Sequence, residues 1–141
     1  MAEIKLKIVT PERVVYEDVV DSVTLPTTSG EITILKDHIP LVSNLRSGEI
    51  KTTTGKEETF LSVSTGFVEV RPGNEIIILA DTAERAEELD IKVIEEAQER
   101  AKKLLEEKRH VDTEAFAHAA AALERELARY KVANKQKRRR A

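Results

Sequence analysis

The chain has 141 residues, 40% of them hydrophobic and 35% charged, with a net charge of −3, which suits one domain or one domain with an appendage. It has no Cys and no Trp, and aromatics make up 4%, which excludes disulfides and thiolate metal sites and argues against a stacking platform for single-stranded nucleic acid. The longest apolar run, Ile76 to Ala80, is far short of the roughly 20 residues of a membrane span, and no basic segment followed by an apolar core opens the chain, so a cytoplasmic protein is expected.

Ile4, Leu6 and Ile8 alternate with Lys5 and Lys7, the signature of a half-buried strand that Thr10-Pro11-Glu12 ends. Val14–Tyr16 and Val19–Leu25 read as the next strands, with Pro26 to Gly30 as a polar loop. Gly30–Leu35 follows, then a turn at Lys36–Pro40 and a short strand through Leu45. Glu49–Thr53, Thr59–Ser64, Gly66–Val70 and Glu75–Leu79 complete the series, with Arg71-Pro72-Gly73-Asn74 as the last hairpin turn. All five Gly and all four Pro lie in this half, nearly all at the breaks. Eight to ten short strands in such spacing predict an N-terminal antiparallel β-sandwich or flattened barrel over residues 1–81.

Residues 82–90 are polar and acidic and read as a joint. Asp81 and Glu84 have capping-box spacing, but Asp90 is the better helix N-cap. Beyond it the apolar period lengthens from 2 to 3.6. Ile91, Ile94, Ala97, Ala101, Leu104 and Leu105 mark a first helix. Arg109-His110-Val111 breaks the pattern, and Asp112 or Thr113 caps a second helix striped by Phe116, Ala119 or Ala120, Leu123, Leu127 and Tyr130. The short connection makes residues 91–135 an antiparallel helical hairpin. Its docking is expected to rest on Phe116, Leu123 and Leu127 against Ile94, Ala101 and Leu104. The fold class is thus β followed by α.

Charge divides at the same joint. Residues 1–90 hold 9 Lys+Arg against 17 Asp+Glu, and residues 91–141 hold 14 against 9. The end, 136–141, is a basic tail of the kind that is either solvated or directed at an acidic protein surface or a nucleic-acid backbone. No catalytic constellation is present. His38, His110 and His118 lie far apart without metal-ligand spacing, and Gly66 and Gly73 make no phosphate loop. His38 reads as a turn residue.

Four segments, in order and in spacing, resemble the epsilon subunit of the rotary F-type ATP synthase of bacteria and plastids. They are Ile8-Val-Thr-Pro-Glu-Arg13, Gly30-Glu-Ile-Thr-Ile-Leu35 with His38-Ile-Pro-Leu41, Gly66-Phe-Val-Glu-Val70 with Pro72-Gly73-Asn74, and Ile78-Leu-Ala-Asp-Thr-Ala83 running into Leu89-Asp90. Two departures stand out from the family pattern G-E-x-G-x-L-P-G-H-x-P: Thr33 replaces its second glycine, and Lys36-Asp37 replaces its Pro-Gly.

The resemblance implies a non-catalytic subunit of a complex that makes ATP. The sandwich would pack on the gamma subunit of the central stalk and touch the membrane c-ring. The hairpin would lie on the sandwich, or extend toward the alpha and beta catalytic subunits and inhibit ATP hydrolysis. Arg125, Arg129, Lys131, Lys135, Arg138, Arg139 and Arg140 would then meet acids of the catalytic ring. The expected location is peripheral, on the cytoplasmic face of a plasma or thylakoid membrane, attached through the complex. No cofactor is required and no metal or nucleic acid is expected, but the resemblance leaves room for regulatory ATP on the folded hairpin. The family motif for that site, [I/L]-D-x-x-R-A, begins here as Leu89-Asp90-Ile91-Lys92, and Val93-Ile94 stand where Arg-Ala is expected. Asp90, Arg100, Arg125 and Arg129 are its remaining candidates. Two other classes stay open on the residues alone. One is a nucleic-acid-binding module led by the basic tail, which steeply salt-dependent DNA binding would reveal. The other is a small enzyme with a carboxylate site, which turnover by the isolated protein would reveal.

Overall fold

A computed structural model describes residues 3–108 and 113–140. Ten strands come first: β1 (Ile4–Val9), β2 (Val14–Val20), β3 (Ser22–Thr27), β4 (Gly30–Leu35), β5 (Leu41–Leu45), β6 (Gly48–Thr54), β7 (Glu57–Val63), β8 (Gly66–Arg71), β9 (Glu75–Ala80) and β10 (Ala83–Arg85). A 3-10 turn, Ala86–Glu88, leads to helices α1 (Ile91–Lys108) and α2 (Thr113–Arg140). The predicted β-sandwich followed by two helices is what the chain forms.

The sheet runs β10-β7-β6-β3-β5-β8-β9-β1-β2, with β4 beside β3. Every pairing is antiparallel except β1 with β9, which is parallel. Residues of even number on β1 point inward, so Ile4, Leu6 and Ile8 are buried together with Val68, Val70, Ile76 and Ile78. The two ends of the sheet meet, because β2 packs against β6 and β10. Tyr16 crosses that contact, its hydroxyl 3.4 Å from Thr52 Oγ1, and burial pushes its phenol pKa up.

Some boundaries move. Val19 and Val20 belong to β2, and the break falls at Asp21. Pro26 lies inside β3, paired with Glu31, where a loop was expected. The expected acidic joint is largely regular structure. Ala83–Arg85 pairs with β7, and Ala83 and Ala86 are buried. Glu84 is in that strand and caps nothing. The N-cap of the 3-10 turn is Arg85, and Glu88 at the third position of the turn reaches back, its Oε1 accepting from the Arg85 amide at 3.1 Å. Arg85 in turn donates to the Val15 carbonyl at 2.9 Å and lies over the Tyr16 ring.

The Lys36–Pro40 turn shows how the family's glycine is replaced. Asp37 adopts a left-handed conformation, φ 63°, which a short polar side chain tolerates better than most residues. Asn74, also left-handed in the β8–β9 turn, accepts from the Asp37 amide at 2.7 Å, so the two turns are laced together. His38 Nδ1 lies 2.6 Å from the Ile39 carbonyl.

Asp90 caps α1, its Oδ1 accepting from the Lys92 and Val93 amides at 2.9 and 3.4 Å. α2 continues helical through Arg140, past the limit of 135 drawn from the sequence. The expected hairpin turn Arg109-His110-Val111 and the Asp112 cap lie outside the described residues.

Candidate functional site: the seam between α2 and the sandwich

α2 packs on α1 along one side and on β6, β7 and the 3-10 turn along another. The sheet face beneath it has a definite composition. Glu49 on β6 pairs with Ser62 on β7, and Ser62 pairs with Glu84 on β10. Side chains directly opposite in a sheet share a face, so two carboxylates flank a serine in one row. Phe60 and Ser64 stand two positions either side of Ser62 on the same face. That is why Phe60 to Val63 are all buried although a sandwich strand ordinarily buries only every second residue.

Val132 of α2 is fully buried against Phe60, Ala86 and Leu89, in a cluster separate from the sandwich core. Arg129 reaches Glu84 with two nitrogens, Nε at 3.1 Å and Nη2 in a closer contact. Its Nη1 bonds Glu126, only 3% exposed, one turn back on the helix. Glu84 also accepts from the Ser62 hydroxyl at 2.9 Å. Lys135 bonds Glu49 Oε1 at 2.7 Å and lies 4.9 Å from the centre of the Phe60 ring. Burial works against the Arg129 charge, but the carboxylates of Glu84 and Glu126 outweigh it and hold its pKa above the usual range. Glu49 Oε2 is buried without a hydrogen-bond partner, so Lys135 is what offsets that carboxylate.

This seam corrects the expected docking set. Leu104 is 47% exposed, Phe116 37% and Leu127 50%. Of the six residues expected to carry docking, Ile94 and Ala101 are buried and Leu123 is half-buried. The buried positions Ala119, Glu126 and Ala133 recur once per heptad and share one face of α2. Arg125, Arg129 and Val132 form the second face, against the sheet. A helix with two neighbours buries a wide surface, and here small and charged residues fill it.

The predicted site residues therefore separate. Arg129 and Lys135 are engaged with the sandwich. Arg125 is half-buried beside Glu126, Nε to Oε1 3.5 Å, at a cleft of about 170 Å³ that Ser64, Asp81, Thr82 and His118 also line. Lys131 and Arg100 are exposed, and Asp90 is the α1 cap. The side chains of Arg138, Arg139 and Arg140 lie outside the described residues. Glu49, Phe60, Ser62 and Val132 were not singled out from the sequence, and Glu84 was read only as a helix-capping residue. One signal was available: Thr59 to Val68 carries no charged residue. A strand with an uncharged outer face is a covered strand.

A second surface lies on the outer face of the sheet at β8, β9 and β1, strands away from α2 in the sheet order. Leu79 on β9 stands between Phe67 on β8 and Val9 on β1. Phe67 and Leu79 are more than half exposed. They line an open cleft of about 450 Å³ with Val9, Pro11 and Gly66. Gly66 permits the close strand approach there, since a Cβ on it would lie 1.9 Å from the Leu79 carbonyl oxygen.

Among the described residues no group of His or carboxylates has the arrangement of a metal site, and no helix is long and apolar enough to cross a membrane. The model of the ATP synthase delta/epsilon chain beta-sandwich domain matches residues 3–86. The ATP synthase epsilon chain of Dehalococcoides mccartyi is 46% identical over 137 residues, covering 97% of this chain and 96% of that protein. That of Syntrophobacter fumaroxidans is 43% identical over 136 residues, covering 96% and 99%. Among solved structures, a chain of the Euglena gracilis mitochondrial ATP synthase, in an assembly of OSCP, F1 and c-ring, superposes with a TM-score of 0.74 at 24% identity. It covers 88% of this chain and 77% of that one. A chain of the Tetrahymena thermophila mitochondrial ATP synthase central stalk and c-ring gives 0.57 at 18%, covering 95% and 96%.

Proposed function

The chain belongs to the family of ATP synthase epsilon chains, and from that premise we propose that it is a non-catalytic subunit of the central stalk whose hairpin restrains ATP hydrolysis. The sandwich is the fixed part. It grips a gamma-like stalk subunit and rests near the membrane c-ring, which keeps the protein peripheral, on the cytoplasmic face. The open apolar face at Phe67 and Leu79 supports such a grip, since exposed apolar groups clustered on a sheet favour a protein partner.

The hairpin is the movable part, and the seam is the observation that carries this reading. α2 meets the sandwich through one small apolar cluster and two sets of ion pairs, of which the Lys135 end is partly exposed. A docked and a detached state separated by a few kcal/mol is what such a contact supports. Detached, α2 presents Arg125, Arg129, Lys131, Lys135 and Arg138–Arg140 along a helix of 28 residues, roughly 42 Å at 1.5 Å per residue. Their targets are acidic surfaces of the alpha and beta catalytic subunits.

The test is ATP hydrolysis by the reconstituted enzyme. Ending the chain after Glu88 removes the arm and leaves the sandwich whole, and so should raise hydrolysis without loss of assembly. Replacing Arg125, Lys131 and Arg138–Arg140 by Ala should act in the same direction, less strongly at high salt. Equal rates for all forms would make the hairpin a structural element.

A further inference from the structure

Arg129 and Lys135 have a double role on that reading. Both would be needed by an extended arm, and both are held by carboxylates of this same chain while the arm is docked. All three guanidinium nitrogens of Arg129 are committed, two to Glu84 and one to Glu126. Arg125 faces the same Glu126. Two arginines thus meet two carboxylates, and the group closes near neutrality.

A polyphosphate bound at the start of the hairpin would need cations and amide donors there. Asp90 has turned its carboxylate onto the amides of Lys92 and Val93. Position 93 is an exposed Val in place of the family's arginine, and position 94 is a buried Ile in place of its alanine. Arg100 is exposed on α1. Arg125 remains, its Nε buried without a hydrogen-bond partner, but a single guanidinium beside Glu126 does not hold a polyphosphate, so the residues present do not fit a nucleotide.

We propose that docking of the hairpin in this chain is governed by competition among carboxylates for Arg129 and Lys135, and not by a nucleotide. Glu84, Glu126 and Glu49 hold these cations, and what displaces them is an acidic protein surface or salt. This rests on the hairpin being a movable arm, and it adds what moves it. Glu49 sharpens the case, because its buried and otherwise unpartnered Oε2 makes Lys135 the group that neutralises it.

The experiment is hydrogen exchange of α2 amides in the full chain, with β1 and β9 amides as the internal reference for global unfolding. It is run with and without saturating Mg-ATP and across a salt series. Mg-ATP should leave α2 exchange unchanged, and salt should speed it. Glu84→Gln and Glu49→Gln should each increase α2 opening about tenfold, the scale of a charge-assisted hydrogen bond. The charge swap of Glu49→Lys with Lys135→Glu should restore protection in part. Slower α2 exchange in Mg-ATP overturns the proposal, as does insensitivity to both Gln variants while α2 still opens ahead of β1 and β9. If α2 exchanges only with global unfolding, the movable-arm reading falls and this proposal falls with it.

Discussion

The sandwich and the hairpin seam are held by different physics. In the sandwich, Ile8, Val68 and Ile78 lie side by side on adjacent strands, fully buried, and each strand contributes inward side chains to one continuous cluster. Such a core has one arrangement, because any displaced methyl leaves a void. At the seam, a small apolar cluster around one valine and a few ion pairs join two surfaces. The first region resists alternatives, and the second is the kind of contact that could exchange partners. The proposed stalk subunit with a moving arm would need both within one chain.

The contrast is broken most severely from the core side. Ile78→Ala should cost about 2–5 kcal/mol of global stability, read as a lower denaturation midpoint of the whole chain, because a buried isoleucine leaves a cavity between β1 and β8. A loss below about 1 kcal/mol would mean that the sandwich relaxes freely and is not the rigid partner.

A smaller effect is expected at the seam. Val132→Ala should weaken docking by about 1.5 kcal/mol while the sandwich midpoint stays put. Faster tryptic cleavage within α2 would report it. Leu127→Ala, by contrast, should change cleavage and stability by no more than about 0.5 kcal/mol. If Leu127 proves the costlier of the two, the seam has been assigned to the wrong face of α2.

These two residues show what the sequence could and could not convey. Alternation in Ile4–Ile8 and turn residues such as Arg71-Pro72-Gly73-Asn74 marked the strands because local sterics dictate them. The 3.6 period marked both helices for the same reason. Which face of α2 would be buried depended on a second neighbour that periodicity does not encode. The large apolar residues Phe116 and Leu127 drew the expected stripe, whereas alanines, Val132 and charged residues fill the real contacts. The parallel pairing of β1 with β9 was likewise hidden, since nothing near Ile4 announces Glu75. Glu49 looked like surface charge and Glu84 like part of a capping box until strand register set them in one row with Ser62.

The smallest expected effect lies where the two regions join. Burial alone would raise the Glu88 carboxyl pKa, but the Arg85 amide and the Arg13 guanidinium at 2.7 Å outweigh it and hold it below the usual carboxylate range. A depressed folded pKa gives stability that is present above the ordinary carboxylate pKa and is lost as pH falls through the folded value. Thermal midpoints of the wild type and Glu88→Gln should therefore separate at neutral pH and converge in acid. Parallel curves at all pH values would show that this clamp adds nothing.

The parallel β1–β9 pair also dates the sandwich's completion during synthesis. β1 finds β2 at once, but its other edge waits for Glu75–Ala80, nearly the last strand to leave the ribosome. Until then a row of unpaired backbone amides and carbonyls is open to any neighbouring nascent chain, as every unfinished sheet edge is. That edge is covered only once β9 is available to pair with it. Slowed translation ahead of Glu75 should therefore lower the yield of folded chain more than slowed translation within the hairpin.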